Sequence, residues 1–233
     1  MAKRRTKIPR SKNQSIGDET LVDLVEARDS ASGFFEKNQK AVVGIAGLIA
    51  LLFVGYVLYK YFYQDKRAVN AKEMIFKAEE QFRRDSFALA LENPGANFEG
   101  FLDIIDNYNG TPTANLAKYY AGVCYLNLGN YDSAIEYLEN YNEAGEITPT
   151  MKYGALGDAY SELSTPNYEK ALSNYKKAAY GPENNLLSPY YLEKYAMLSQ
   201  MQGNTDEAQK AFKTIKEKYP NSAEGLVVDK YLR

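Results

Sequence analysis

Two positions in this sequence have residue types and spacing that catalysis would use: a lone cysteine, and a serine followed three residues later by a lysine. Cys124 lies in an apolar helical pattern, so we predict a small core residue and not a reactive thiol. Ser173 and Lys176 match an SxxK motif, but they lie within a helical repeat and lack the companion motifs. Neither position predicts an active site.

Composition excludes most other catalytic classes. The sequence contains no histidine, which removes the commonest general base, the Ser-His and Cys-His nucleophiles and every histidine-ligated metal site. A single cysteine excludes an intramolecular disulfide, a zinc site with two or more thiolates and a CxxC redox pair. There is no GxxxxGK[ST] phosphate loop and no GxSxG elbow. We therefore predict that the protein is not an enzyme and has no catalytic residue, cofactor or metal.

An uninterrupted apolar segment follows the first 40 residues. Residues 41–59 are 19 consecutive uncharged residues, and Tyr61, Phe62 and Tyr63 extend the segment if Lys60 snorkels. As a helix, residues 41–63 would be about 30 to 35 Å long, which matches the hydrocarbon core of a bilayer. We predict a single uncleaved transmembrane helix. Ala46 and Ala50 form a small-xxx-small pair through which another membrane helix would approach closely.

The charges are divided unequally among three segments. Residues 1–40 carry nine Lys/Arg and six Asp/Glu, whereas residues 64–233 carry 18 against 24. The cluster of Lys and Arg in residues 3–12 favours a cytoplasmic N-terminus and a body outside, under the positive-inside rule. The alternative is that this cluster binds nucleic acid or anionic lipid. Because no aromatic residues are interleaved with the charges, we favour a role in setting the membrane topology and predict no nucleic acid partner. Residues 1–17 are predicted to be disordered, and residues 18–35 to form either a short amphipathic helix or a partly helical tail.

The body repeats with a period of 37 residues. Ala134, Ala171 and Ala208 are separated by this step, and so are Leu138, Tyr175 and Phe212. The pattern predicts a linker helix to about Leu91 and a degenerate half repeat within residues 64–113, followed by three helical hairpins in residues 114–221. Residues 222–233 are predicted to form a final helix that covers the last hairpin with Leu226, Val227 and Leu232.

These repeats resemble the tetratricopeptide repeat. The small residue followed three positions later by an aromatic appears as Gly122 with Tyr125 and as Gly157 with Tyr160. The resemblance implies an all-α fold in which a single N-terminal transmembrane helix precedes a tetratricopeptide-repeat α-solenoid. Such a solenoid usually binds partners on the concave wall formed by its first helices. Projection of the helix faces places the following candidate residues on that wall: Leu116, Tyr119, Val123, Leu126, Asn127, Met151, Gly154, Asp158, Ser161, Glu162, Tyr190, Glu193, Met197, Gln200 and Met201.

Residues 35–233 also resemble a bacterial family of membrane-anchored tetratricopeptide proteins, the YfgM-type ancillary subunits of the SecYEG translocon. The most telling stretch is NYNGTPTANLAKYYAGVCYLNLGNYDSAIEYLENY. The resemblance implies an inner-membrane protein whose body lies in the periplasm and whose anchor contacts the SecYEG translocon. It also implies that emerging chains are handed over to periplasmic chaperones. Two other hypotheses stay open: a cytoplasm-facing adaptor that docks soluble partners to the membrane, and a regulatory subunit of an envelope enzyme.

Overall fold

A computed structural model describes residues 16–93, 98–145 and 147–232, with side chains described from residue 37 onward except 63–65. Residues 1–15 of the segment 1–17 predicted to be disordered lie outside this range, and the last two, Ile16 and Gly17, belong to a helix. The chain divides into two compact units, of which the second begins at Tyr63. We describe each unit by itself.

The first unit is formed by helix α1 (Ile16–Tyr59). Asn38 has non-helical backbone angles (φ −115°, ψ 18°), so two helical segments meet there, just before the apolar residues begin. Ala46 and Ala50 are both exposed on the second segment. A helical run that starts at Lys37 contains a window of mean hydropathy 2.6, none of which is buried. By length and composition this helix is able to cross a membrane. A π-helical segment, Lys60–Gln64, follows it in the chain.

The second unit is all-helical in the residues described. Its helices are α2 (Asp65–Arg83), α3 (Phe87–Leu91), α4 (Phe101–Asn107), α5 (Pro112–Asn127), α6 (Tyr131–Glu139), α7 (Thr148–Glu162), α8 (Tyr168–Ala179), α9 (Leu187–Met201), α10 (Thr205–Lys218), α11 (Ala223–Val227) and a 3₁₀ turn (Val228–Tyr231). The pairs α5/α6, α7/α8 and α9/α10 pack as consecutive hairpins, and each hairpin packs against the next.

The hairpin turns use residues whose chemistry suits a helix end. Gly129 and Gly203 close α5 and α9 with positive φ angles of 77° and 81°, which glycine adopts without steric cost. The Oδ1 atoms of Asn130 and Asn167 accept hydrogen bonds from the backbone N–H groups of Ser133 and Lys170 at the starts of α6 and α8.

The 37-residue period corresponds to the core. Ala134, Ala171 and Ala208 are completely buried, because a methyl side chain at this position lets the second helix of each hairpin lie close to its neighbours. Cys124 is also buried, as predicted, and burial raises the pKa of its thiol to about 12. It is therefore a packing residue.

The linker differs from the expected single helix. It is divided into α2 and α3 by a turn in which Asp85 has a φ of 55°. The turn brings the ring of Phe87 to 5.6 Å from the ring of Phe82, and Phe82 lies 5.1 Å from Tyr120 of α5. The aromatic packing gained in this way explains why the helix stops near Arg84 rather than continuing.

The C-terminal cover also differs in its residues. Of the three residues predicted to cover the last hairpin, Leu232 packs against the core, whereas Leu226 and Val227 are exposed. Val228 is buried instead, and the ring of Tyr231 stacks on Phe212 at 4.8 Å. The reason is that α11 ends at Val227, and the 3₁₀ turn that follows presents a different face to α10.

Candidate functional site

The first helices of the three hairpins, α5, α7 and α9, share one surface of the second unit. Lys194 of α9 reaches Asp158 of α7 with an Nζ to Oδ1 distance of 2.6 Å. Tyr191 of α9 lies against Gly154 of α7, and Tyr119 of α5 packs on the same core as Tyr191. These contacts connect the three helices side by side, as the candidate wall requires.

The open part of this wall lies on α9. Tyr190, Met197 and Met201 are 40%, 50% and 60% exposed, and their spacing of seven and four residues places them along one helix face. We call these three residues the α9 stripe. Glu193 lies three residues after Tyr190 and four before Met197, so helical spacing places one carboxylate beside the apolar stripe.

A polar network fixes the helices beneath the stripe. Asp158 accepts hydrogen bonds from Lys194 and from the hydroxyl of Tyr175, each at 2.6 Å. The Lys194 ammonium also lies 5.7 Å from the ring centre of Tyr175 and 5.2 Å from that of Tyr190. Burial alone would lower the pKa of Lys194, but the hydrogen bond and charge of Asp158 outweigh burial and raise it. The network therefore holds Tyr190 in place beside a charged lysine.

The α5 end of the wall is largely filled. Tyr119, Val123 and Leu126 pack against the core of the second and third hairpins. Leu116 instead packs against the core formed by α2 to α5. Gly154, expected on the wall, is covered, because a Cβ atom there would lie 2.0 Å from the Tyr191 ring. This part of the wall is made of packed side chains rather than open surface.

The predicted wall residues thus separate by exposure. The exposed ones are Asn127, Glu162, Tyr190, Met197, Gln200 and Met201. The partly buried ones are Leu116, Tyr119, Val123, Leu126, Met151, Asp158, Ser161 and Glu193. Of the exposed wall residues, Tyr190, Met197 and Met201 of α9 carry the aromatic and apolar side chains.

Sequence reasoning missed Lys194 and Tyr191. Lys194 stands four residues after Tyr190 and three before Met197, so helical spacing alone was a signal that it belongs to the same face. Tyr191 gave no such signal, because its contact with Gly154 depends on how α9 is positioned against α7. Among the residues that the structure describes, no group of three or more Asp, Glu or Cys side chains is arranged to hold a metal ion.

Four buried or partly buried tyrosines of the second unit predict how the free energy of unfolding depends on pH. Burial raises the pKa of Tyr119 and Tyr120 to about 12, and it also raises the pKa of Tyr175 and Tyr191, with Asp158 contributing to both. A phenol with a raised pKa in the folded state contributes stability below its unfolded pKa of about 10, and loses it as the pH rises through the folded value. With no histidine in the chain, we expect constant stability between about pH 6 and 9 and a steep loss above about pH 10.

Denaturant unfolding at neutral and alkaline pH, with tyrosinate absorbance recorded in parallel, measures this profile. Tyr119→Phe removes one titrating group and is expected to make the alkaline loss shallower. Ionisation of all the tyrosines near pH 10 while the helices stay folded would contradict the expectation.

Comparison with known proteins identifies the repeats. The tetratricopeptide repeat model matches residues 116–143 and 190–222, which correspond to most of the first hairpin and to most of the third hairpin with the turn that follows it. No curated protein matches the chain significantly. Repeats of this kind indicate a protein–protein interaction scaffold and are generally not enzymes. In the residues that the structure describes, the chain is therefore all-helical, two of its hairpins match the tetratricopeptide repeat, and one helix that comes before them in the sequence is long and apolar enough to span a membrane.

Proposed function

We propose that this protein is a non-enzymatic scaffold that is held to a membrane by the apolar part of α1 and binds polypeptide segments on the α9 stripe. The observation that supports it best is the stripe itself: two half-exposed methionines and a tyrosine in line on a repeat wall. Methionine side chains adapt to differently shaped apolar partners, which suits a site for varied polypeptides.

The contacts around the α9 stripe support a binding surface whose helices are fixed before a partner binds. Asp158 and Lys194 connect α7 to α9, so the helices that present the stripe are already in place before a partner arrives. A rigid surface loses little conformational entropy on binding. Glu193 beside the stripe favours a segment that combines apolar with basic side chains.

Membrane anchoring would add local concentration. A binding surface confined near the site where chains emerge meets them more often without any new contact energy. Following the resemblance to the YfgM-type family, we propose that the anchor lies in a bacterial inner membrane next to the SecYEG translocon and the body in the periplasm, with emerging chains or periplasmic chaperones as partners. The basic cluster in residues 3–12 supports a cytoplasmic N-terminus.

Fusions at the C-terminus test the anchor and its orientation. An alkaline phosphatase fused after Arg233 is expected to be active, a fluorescent protein that folds only in the cytoplasm is expected to be dark, and both products should resist extraction by alkaline carbonate. A bright, phosphatase-inactive product would contradict the periplasmic body and favour the cytoplasm-facing adaptor. Release by carbonate would contradict the anchor.

Photo-crosslinking tests the partners. A photoreactive residue at Met197 is expected to capture chains in transit or chaperones, and one at Ala46 to capture a translocon subunit. Ser173, exposed on the second helix α8, is the matched control and should give few adducts. Adducts that contain neither Sec components nor secreted chains or chaperones would contradict the translocon assignment.

A further inference from the structure

The apolar line along α9 extends one helical turn beyond the α9 stripe. Leu186 stands four residues before Tyr190, and its backbone angles (φ −100°, ψ −50°) are close to those of a helix. Its side chain is 77% exposed. Because residues four apart lie on the same face of a helix, Leu186 continues the line of the α9 stripe. Four exposed side chains therefore follow one face over about 22 Å.

The spacing along this line is the same when it is counted from either end. From Leu186 to Met201 the steps between the four side chains are four, seven and four residues. Two adjacent residues of opposite charge, Glu193 and Lys194, occupy the middle of the seven-residue step. A two-fold axis that passes between these two residues would therefore exchange the two halves of the line.

An antiparallel second copy of α9 would complement this line at every position. In such an isologous arrangement the same surface of each copy contacts the other, so every contact occurs twice. The pairs that face each other across the axis are Leu186 with Met201, Tyr190 with Met197, and Glu193 with Lys194. Each apolar side chain thus faces a large, mainly apolar one, and each charge faces its counter-charge. A partner of unrelated sequence would not require the line to be symmetric about its centre.

The two central charges are able to accept partners from a second copy. The Glu193 carboxylate forms no ion pair with the residues that the structure describes. Lys194 is partly exposed, and of the three hydrogen bonds that an ammonium group donates, Asp158 and the Tyr190 hydroxyl accept two. Lys194 can therefore donate the third to Glu193 of a second copy while it stays paired with Asp158.

From the symmetric spacing, the exposed apolar side chains and the complementary charges, we infer that α9 pairs antiparallel with α9 of a second copy of this chain, about a two-fold axis between Glu193 and Lys194. An interface of six side chains from each copy is small, and small interfaces are weak in solution. Confinement of both copies to one membrane would raise their effective concentration. The pairing covers the α9 stripe until a polypeptide displaces the second copy, and this regulatory consequence rests on the proposed function.

Disulfide formation between introduced cysteines tests the register in the full chain. Tyr190→Cys and Met197→Cys variants carry different affinity tags, are reconstituted in the same phosphatidylcholine vesicles and are oxidised. Cys124 is buried and does not react. A disulfide requires Cα atoms within about 7 Å. In the antiparallel pair, positions 190 and 197 face each other, whereas two cysteines at the same position are displaced by about 10 Å along the helix.

We expect the mixed disulfide between positions 190 and 197 to exceed either same-position disulfide by several-fold. Leu186→Cys with Met201→Cys provides an independent pair at the ends of the line and should behave in the same way. Glu193→Lys in both copies brings two ammonium groups together and should lower the mixed yield several-fold. Glu162→Lys makes the same change of charge at an exposed residue of α7 outside the line and should leave the yield unchanged.

Addition of an unfolded polypeptide with apolar and basic residues separates this inference from the proposed function. We expect an excess of it to lower the mixed yield. Mixed and same-position disulfides in equal amounts would indicate random collision and overturn the pairing, as would a yield that Glu193→Lys does not change. Absence of both mixed disulfides in protein that still binds the polypeptide overturns the pairing alone. Mixed disulfides in protein that binds no polypeptide support the pairing and overturn the proposed function.

Discussion

Replacement of Gly157 by alanine is expected to lower the free energy of unfolding by about 2 kcal/mol, although alanine is the better helix former by about 1 kcal/mol. Gly157 lies within α7, where an added Cβ atom would be 2.4 Å from Cδ1 of the Tyr175 ring. Tyr175 cannot move aside freely, because its hydroxyl donates to Asp158. Equilibrium unfolding in denaturant measures the change.

A second substitution, which removes the Tyr175 ring, tests whether the contact with that ring causes the loss of stability. In a Tyr175→Leu background the ring is absent, so Gly157→Ala should become neutral or stabilising by up to about 1 kcal/mol. If alanine stabilises the protein with Tyr175 present, α7 and α8 do not pack as closely as described, and the interpretation of Gly157 as the repeat's small residue is wrong.

Replacement of Met197 by glutamate is expected to reduce polypeptide capture at the neighbouring Tyr190 by about tenfold, which corresponds to about 1.4 kcal/mol. An apolar segment on the α9 stripe would have to desolvate the new carboxylate and would lose the methionine contact. Met197 is half exposed, so the fold should not change. The yield of adducts from a photoreactive residue at position 190 is the measurement.

Two matched variants accompany Met197→Glu. Met197→Leu keeps an apolar side chain and should retain most of the yield, whereas Leu226→Glu places the same charge on exposed apolar surface outside the stripe and should change nothing. Equal loss in Met197→Glu and Leu226→Glu would indicate a general effect of charge, and unchanged yield in both would exclude the stripe as the contact.

The solenoid was predictable because its signal is local and repeated. Small and large apolar residues recur every 37 residues, so the repeat stays recognisable where one copy departs from the pattern. Ala134, Ala171 and Ala208, at one of these recurring positions, all lie in the core. The apolar segment was equally plain, since length and absence of charge suffice to recognise it. The break between α2 and α3 was not predictable, because it depends on aromatic contacts of Phe82 and Phe87 with residues distant in sequence.

The wall was predictable only in outline. Tyr190, Met197 and Met201, which helical spacing predicted to lie on the wall, are exposed on α9. It also placed Gly154 on open surface, where Tyr191 in fact covers it. Which gaps are filled depends on how neighbouring hairpins interlock, and a single sequence does not contain that information. For the same reason, the ion pair between Asp158 and Lys194 was not predictable from the sequence.

The most direct measurement of the central claim is the affinity of the full-length protein, held in lipid nanodiscs, for a fluorescent unfolded polypeptide with apolar and basic residues. We expect saturable binding that weakens by at least about tenfold in the Met197→Glu, Met201→Glu double variant and is unchanged in Leu226→Glu. Absence of saturable binding, or equal affinity in the wild type and the double variant, would contradict the account.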